Sequence, residues 1–283
     1  MRYALRGKCA VVSAVLLAAG GLVKGDLVAY LPAAQDATLL GGTDAAANRS
    51  LADPGLFAGV DGAGNPRRGL IEFNIGAKIP AGSTITGVTL QMDLGQAAGS
   101  GGGVGGGTGG SQTISLFDES QAWGQPTNVA GASSFSAIGH GGSAATGDAT
   151  WNDAFFNTTP WTTAGGDYSS SLSDRGDATV GATLTTYPWS AAGMTADVQN
   201  WLNNPATNFG WLIRNSDETS LADFRAFWSA QGAAAYLAAN PTNPANISAP
   251  ELIVTYQPVP EPFSLLTFSS AALLPLMRRR RRS

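Results

Sequence analysis

One histidine, one cysteine confined to the first residues, and seven tryptophans bound the chemistry open to this chain. His140 lies between Gly139 and Gly141 in glycine- and serine-rich sequence. A general base must be held within hydrogen-bond reach of its proton, which such a loop does poorly, so His140 reads as solvent-exposed and inert. A Ser-His-Asp triad would have to use it, and the Gly-x-Ser-x-Gly elbow is absent. Paired carboxylates offer another route, hydrolysis of a glycosidic bond between two acids roughly 5 to 10 Å apart. Asp118 and Glu119 are adjacent, so on a strand they would point to opposite faces. Asp174 with Asp177 and Asp217 with Glu218 occupy polar loop sequence. These acids read as solvated surface charge, and no catalytic residue is expected.

Metal sites based on histidine or cysteine are not expected. The stretch Asp61 to Pro66 departs from an EF-hand loop because Ala63 and Pro66 stand where a ligand and a glycine are needed. Calcium held by oxygen ligands from separate loops, with Asp36 among them, is the one metal the composition suits. Trp123, Trp151, Trp161 and Trp189 fall in loop-like sequence, where an indole either packs the loops or stacks on the apolar face of a sugar ring. Trp201 and Trp211 lie on apolar faces and read as core.

The elements that would carry these residues are strands. Val88, Leu90, Met92 and Leu94 alternate with polar residues, as a half-buried strand requires. The period of two recurs at Ile71, Phe73 and Ile75, at Ile114 and Leu116, at Phe209, Trp211 and Ile213, and at Leu252, Val254 and Tyr256. Segments such as Asp61-Gly62-Ala63-Gly64-Asn65-Pro66 supply turns between them. One helix is expected over Thr195 to Asn203, where Val198, Trp201 and Leu202 share a face and Thr195 can cap. The glycine-rich stretch Gly95 to Gly110 reads as a loop; it is no phosphate cradle, because no Gly-Lys-Ser/Thr follows. Gly131 to Gly147 reads as a second loop.

Both ends read as addresses. Arg2, Arg6 and Lys8 precede an apolar run from Cys9 to Val23, the order of a secretory signal peptide, so residues 1–29 are assigned to it and the mature chain to a start near Tyr30. From Tyr30 to Pro262 there are 7 basic against 19 acidic residues, a net charge of −12 that excludes nucleic acid as a partner. At the other end come Val259-Pro260-Glu261-Pro262, an apolar run from Phe263 to Met277, and the five arginines Arg278, Arg279, Arg280, Arg281 and Arg282. The run is short beside the roughly 17 to 25 residues of a spanning helix. Arginines that follow it stay cytoplasmic, so the body must lie across the membrane. The two prolines hold Glu261 extended and open to a protease.

Residues 258–283 resemble the PEP-CTERM sorting signal of Gram-negative bacteria in order, spacing and composition. The resemblance implies Sec-dependent export, a transient inner-membrane stay with the C-terminus cytoplasmic, removal of the sorting helix by an exosortase, and a destination at the cell surface or in the extracellular matrix. An ordinary C-terminal anchor is the alternative. The body, residues 30–257, is similar to DNRLRE-domain proteins, some of which are classed as carbohydrate-binding modules. The likeness is carried by Asp36-Ala37-Thr38, Arg67-Arg68-Gly69-Leu70-Ile71-Glu72-Phe73, Ile79-Pro80-Ala81-Gly82-Ser83-Thr84-Ile85, Asp197-Val198-Gln199-Asn200-Trp201, Asn208-Phe209-Gly210-Trp211-Leu212 and Pro250-Glu251-Leu252-Ile253-Val254-Thr255-Tyr256. It departs from the pattern at Glu72, at Ser229-Ala230-Gln231 and in an insertion from Gly232 to Ser248. The strand pattern points to an all-β fold with one short helix, and the resemblance implies a single jelly-roll-like antiparallel β-sandwich; the expectation is a non-catalytic protein that associates with exopolysaccharide. A purely structural matrix protein and a polysaccharide-degrading enzyme are the alternatives.

Overall fold

A computed structural model describes residues 25–52, 54–98, 110–127, 140–169, 176–242 and 247–259. The signal-peptide run and all of the sorting signal after Val259 lie outside the described residues, as do Asp174 and most of both predicted glycine-rich loops. In chain order the elements are β1 (Leu27–Pro32), β2 (Gln35–Leu40), α1 (Thr43–Ala46), β3 (Arg49–Ser50), β4 (Gly55–Val60), β5 (Pro66–Glu72), β6 (Thr84–Ala97), β7 (Gln112–Asp118) and β8 (Gly142–Ser143). They continue with β9 (Asp153–Phe155), β10 (Thr159–Pro160), β11 (Gly176–Val180), β12 (Thr186–Trp189), α2 (Ala192–Asn203), β13 (Trp211–Asn215), β14 (Arg225–Trp228), α3 (Ala230–Ala239) and β15 (Glu251–Gln257).

The plan is the expected all-β sandwich, made from one curled antiparallel sheet of 11 strands in the order β1-β15-β6-β14-β4-β5-β13-β7-β11, with β12 also on β6 and β2 also on β5. Strand β14 pairs with β6 on one side and β4 on the other, and so joins the two halves. Alternation decides which face each strand turns inward: in β15, Leu252, Val254 and Tyr256 are buried while Ile253 and Thr255 are only half-buried. The enclosed core sets Trp201 against Trp211, ring planes tilted by 54° and centroids 4.6 Å apart, and Trp189 edge-on to Phe227 at 5.3 Å. Trp201 and Trp211 are core residues, as expected.

Two smaller apolar layers cover outer faces of the sheet. Leu39, Leu70, Phe117 and Leu212 are roofed by the loops that carry Trp123 and Trp161. Leu40, Leu51, Phe57 and Trp228 lie under α3, which contributes Ala233 and Tyr236.

Among the described residues three helices form where a single one was expected. Helix α2 starts at Ala192, three residues before Thr195, and Ala191 at its N-cap makes no side-chain cap bond. Helix α3 begins at the tail of β14 and fills much of the stretch read as an insertion. Ser229 caps it by accepting from the Gly232 N–H, which the sequence from Ser229 onward permitted. The described body also begins earlier than Tyr30: β1 pairs with β15 from Leu27 opposite Tyr256, and Ala29 is buried. A cut at Tyr30 would remove Leu27, Val28 and Ala29 from that ladder. Among the described residues no helix is long and apolar enough to cross a membrane.

Candidate functional site

The loop leaving β7 and the loop entering β11 face each other across an open cleft of about 490 Å³. Ser120 and Gln121 form one wall, and Thr162, Thr163, Asp167 and Tyr168 the other. Backbone bonds hold the walls together: Ser120 N–H donates to the Asp167 carbonyl at 2.8 Å, and Ser169 N–H to the Asp118 carbonyl at 2.9 Å. The Asp167 carboxylate accepts the N–H groups of Thr162 at 2.7 Å and Thr163 at 2.8 Å, which shapes the turn and leaves its oxygens with further acceptor capacity. Hydroxyls, an amide and one carboxylate line the cleft, the set of groups that pairs with sugar hydroxyls.

Beneath the cleft lies Glu119, only 1% exposed. Its Oε1 accepts the N–H of Ser120 at 3.1 Å and of Gln121 at 3.3 Å. Its Oε2 has no hydrogen-bond partner and sits 3.2 Å from where a Cβ on Gly166 would stand. Burial pushes Glu119 up to about 8, with Asp167's charge adding to the shift against the pull of the two N–H groups. Glu119 therefore holds its proton at neutral pH. Asp118 does turn the other way, as the strand period requires, and accepts from Trp201 Nε1 at 3.2 Å. Burial raises it as well. Neither acid is the solvated surface charge expected. The signal for Glu119 was available: it follows Phe117 by two and so faces the same apolar layer.

Behind Tyr168 the wall is braced by cations. Arg68 stacks over Trp151 at 4.9 Å and Tyr168 at 5.6 Å, and meets Glu218 through two bonds of 2.8 Å. Arg214 donates to the Tyr168 hydroxyl at 3.1 Å and also faces Glu218 at 2.8 Å. Glu218 thus serves two guanidiniums rather than solvent.

Of the four tryptophans considered for sugar stacking, three are enclosed. Trp123 donates to the Phe209 carbonyl at 2.9 Å, Trp161 to the Thr150 carbonyl at 2.8 Å, and Trp189, fully buried in the main core, to the Ile114 carbonyl at 2.9 Å. Each indole N–H finds a backbone acceptor, so the large ring is buried without an unsatisfied donor, and no face remains for a ligand. Trp151 is half-buried, with Arg68 against its ring. Tyr168, half-buried in the cleft wall, is the aromatic that spacing alone had not singled out.

Asp36 is buried in β2, where its Oδ2 accepts the Ala230 N–H at 2.8 Å and so caps α3. Among the described residues it joins no cluster of three carboxylate or histidine ligands. Such a cluster forms elsewhere, from Asp44, Asp61 and His140, whose ligand atoms lie within 4.8 Å of one another and could hold a metal ion. His140 is solvent-exposed as expected, its ring 63% exposed, and its Nδ1 lies 3.0 Å from Asp44 Oδ2. The buried Arg67 already occupies the middle of this group, with Nη2 at 2.7 Å from Asp44 and 2.9 Å from Asp61. A metal would have to displace a bound guanidinium. Comparison with protein-family models and with curated proteins finds no match to this chain.

Proposed function

We propose that this chain is an exported, non-catalytic β-sandwich protein, delivered by its C-terminal sorting signal to the surface or extracellular matrix of a Gram-negative bacterium, where it associates with exopolysaccharide. The observation that carries the reading is the order Pro260-Glu261-Pro262, apolar run, five arginines. An exosortase would cut at the extended Pro-Glu-Pro stretch while the arginines hold the run in the inner membrane. Mass spectrometry of the exported form should find a C-terminus between Pro258 and Pro262; an intact Arg282 would sink the reading.

The cleft beside Tyr168 is the polysaccharide site in this reading. Its hydroxyl and amide lining and its half-buried aromatic support it. Catalysis finds little support, since Glu119, the one neutral acid at the cleft, is buried below its floor and a general acid must reach the glycosidic oxygen. Native gels cast with the host's exopolysaccharide should retard the protein, and Tyr168→Ala with Gln121→Ala should abolish the retardation. Calcium remains the proposed cofactor, so the gels are run with and without it. Unchanged mobility throughout would favour the second reading, a structural matrix protein, which the burial of Trp123, Trp161 and Trp189 favours.

A further inference from the structure

Large apolar side chains are exposed at six places among the described residues, and four of them, Leu27, Val28, Tyr30 and Val259, lie at the two ends of the sandwich chain. Those ends are neighbours. Strands β1 and β15 are antiparallel with Leu27 opposite Tyr256, and Gln257 Nε2 donates to Asp26 Oδ1 at 2.9 Å. Val28 and Tyr30 stand on the face turned away from the core, because Ala29 and Leu31 fill the inward positions between and after them. Their ladder partners Thr255 and Ile253 are half-buried and extend the same face. Strand β1 is also an edge of the sheet.

Lys78 is the one lysine between Gly25 and Val259, and its Nζ donates to the Tyr30 carbonyl at 2.6 Å. An apolar strip with a tyrosine and a lysine beside it has the composition that settles at a bilayer interface, apolar groups down and amphipathic tips at the headgroups. Chain length supplies the occupant. Three residues lie between Val259 and Phe263, where the C-terminal apolar run begins, and three between Val23, where the N-terminal run ends, and Leu27. The four residue-to-residue steps across either gap reach about 14 Å at most. A membrane that takes up either run is therefore within reach of this corner.

Resting on the export reading above, with the signal peptide cut ahead of Leu27 so that β1 stays in the sheet, we propose that the β1–β15 corner, centred on Val28 and Tyr30, is a lipid-facing surface that seats the sandwich on the membrane before the C-terminal run is cut away. Until release the domain lies against the bilayer by this edge, with the cleft and the acidic surface left in the aqueous phase. Cleavage removes the tether, and the strip alone is too small to hold the protein there.

The test uses the full chain with Cys9→Ser, carrying either Val28→Cys or Leu184→Cys as a label site. Both positions are exposed, and Leu184 precedes β12, whose Thr186 pairs with Asp93 of β6, about 26 Å along that strand from Ile85, which pairs with β15. The proteins are labelled with an environment-sensitive fluorophore and reconstituted into vesicles of phosphatidylethanolamine and phosphatidylglycerol, with and without nitroxide-bearing lipid. Nitroxide should quench the label at position 28 several-fold more than at 184. Equal quenching overturns the proposal. Self-quenching between labels at 28 without lipid quenching overturns it in favour of edge-to-edge pairing with a second copy. If the chain fails to float with the vesicles, the anchoring reading itself fails and takes this inference with it.

Discussion

Among the acids withdrawn from water in this molecule, those at two sites are stabilised in opposite ways. Asp44 and Asp61 surround the guanidinium of Arg67, which is 2% exposed and bonds to both. Glu119, at the cleft, has two backbone N–H groups on one oxygen and no partner on the other. The first group is neutralised by a built-in counter-ion and the second by keeping a proton. A carboxylate therefore cannot be assigned a role from its burial alone; the neighbouring cation decides which species the fold contains.

The sharpest way to break this contrast is to remove the counter-ion. Arg67→Ala leaves two carboxylates without their guanidinium and should cost about 3–5 kcal/mol of stability, read by urea denaturation. The same variant opens the middle of the Asp44, Asp61 and His140 group, so millimolar calcium or zinc should restore part of the loss, while the parent chain gains nothing. Restoration in the parent as well would mean that Arg67 does not hold the place of a cation.

The cleft acid gives the next effect. Between pH 4.5, the ordinary value for a glutamic acid, and about 8, the folded chain binds a proton at Glu119 that the unfolded chain has released. Stability from this group is complete below pH 4.5 and falls as pH rises through that window, by on the order of a few kcal/mol. Glu119→Gln keeps the shape and removes the titration. Its melting temperature should lose this downward slope and exceed the parent's at pH 8; parallel profiles would show that Glu119 ionises freely. The smallest effect is expected at His140, whose ring is 63% exposed: His140→Ala should change stability by less than about 1 kcal/mol. A larger loss would make the histidine part of the charge group rather than its rim.

Legibility in the sequence followed the same division. Alternation at Val88, Leu90, Met92 and Leu94 identified β6, and apolar spacing identified α2, because a half-buried element writes its period into contiguous residues. Helix α3 was missed. Its Ala-rich sequence has no charged face, and it is held by a layer over Trp228 and by caps from Ser229 and from Asp36, 194 residues away in sequence. The loop tryptophans misled for a related reason: Trp123 and Trp161 sit among polar residues, but the carbonyls of Phe209 and Thr150 let their indoles be buried.

By itself the sequence determined what contiguous residues can encode: an all-β plan, an acidic body without cysteine chemistry, a likeness to an export signal at one end and to a sorting signal at the other. Only the tertiary structure decided which acid is a salt-bridge partner, which is a helix cap and which keeps its proton. It also brought Gln121 to Tyr168, Arg67 to Asp44, and Leu27 to Tyr256. Those pairings depend on strand order in a curled sheet, where residues far apart in the chain become neighbours, and burial and Coulomb interactions act on distance in space rather than on separation in sequence.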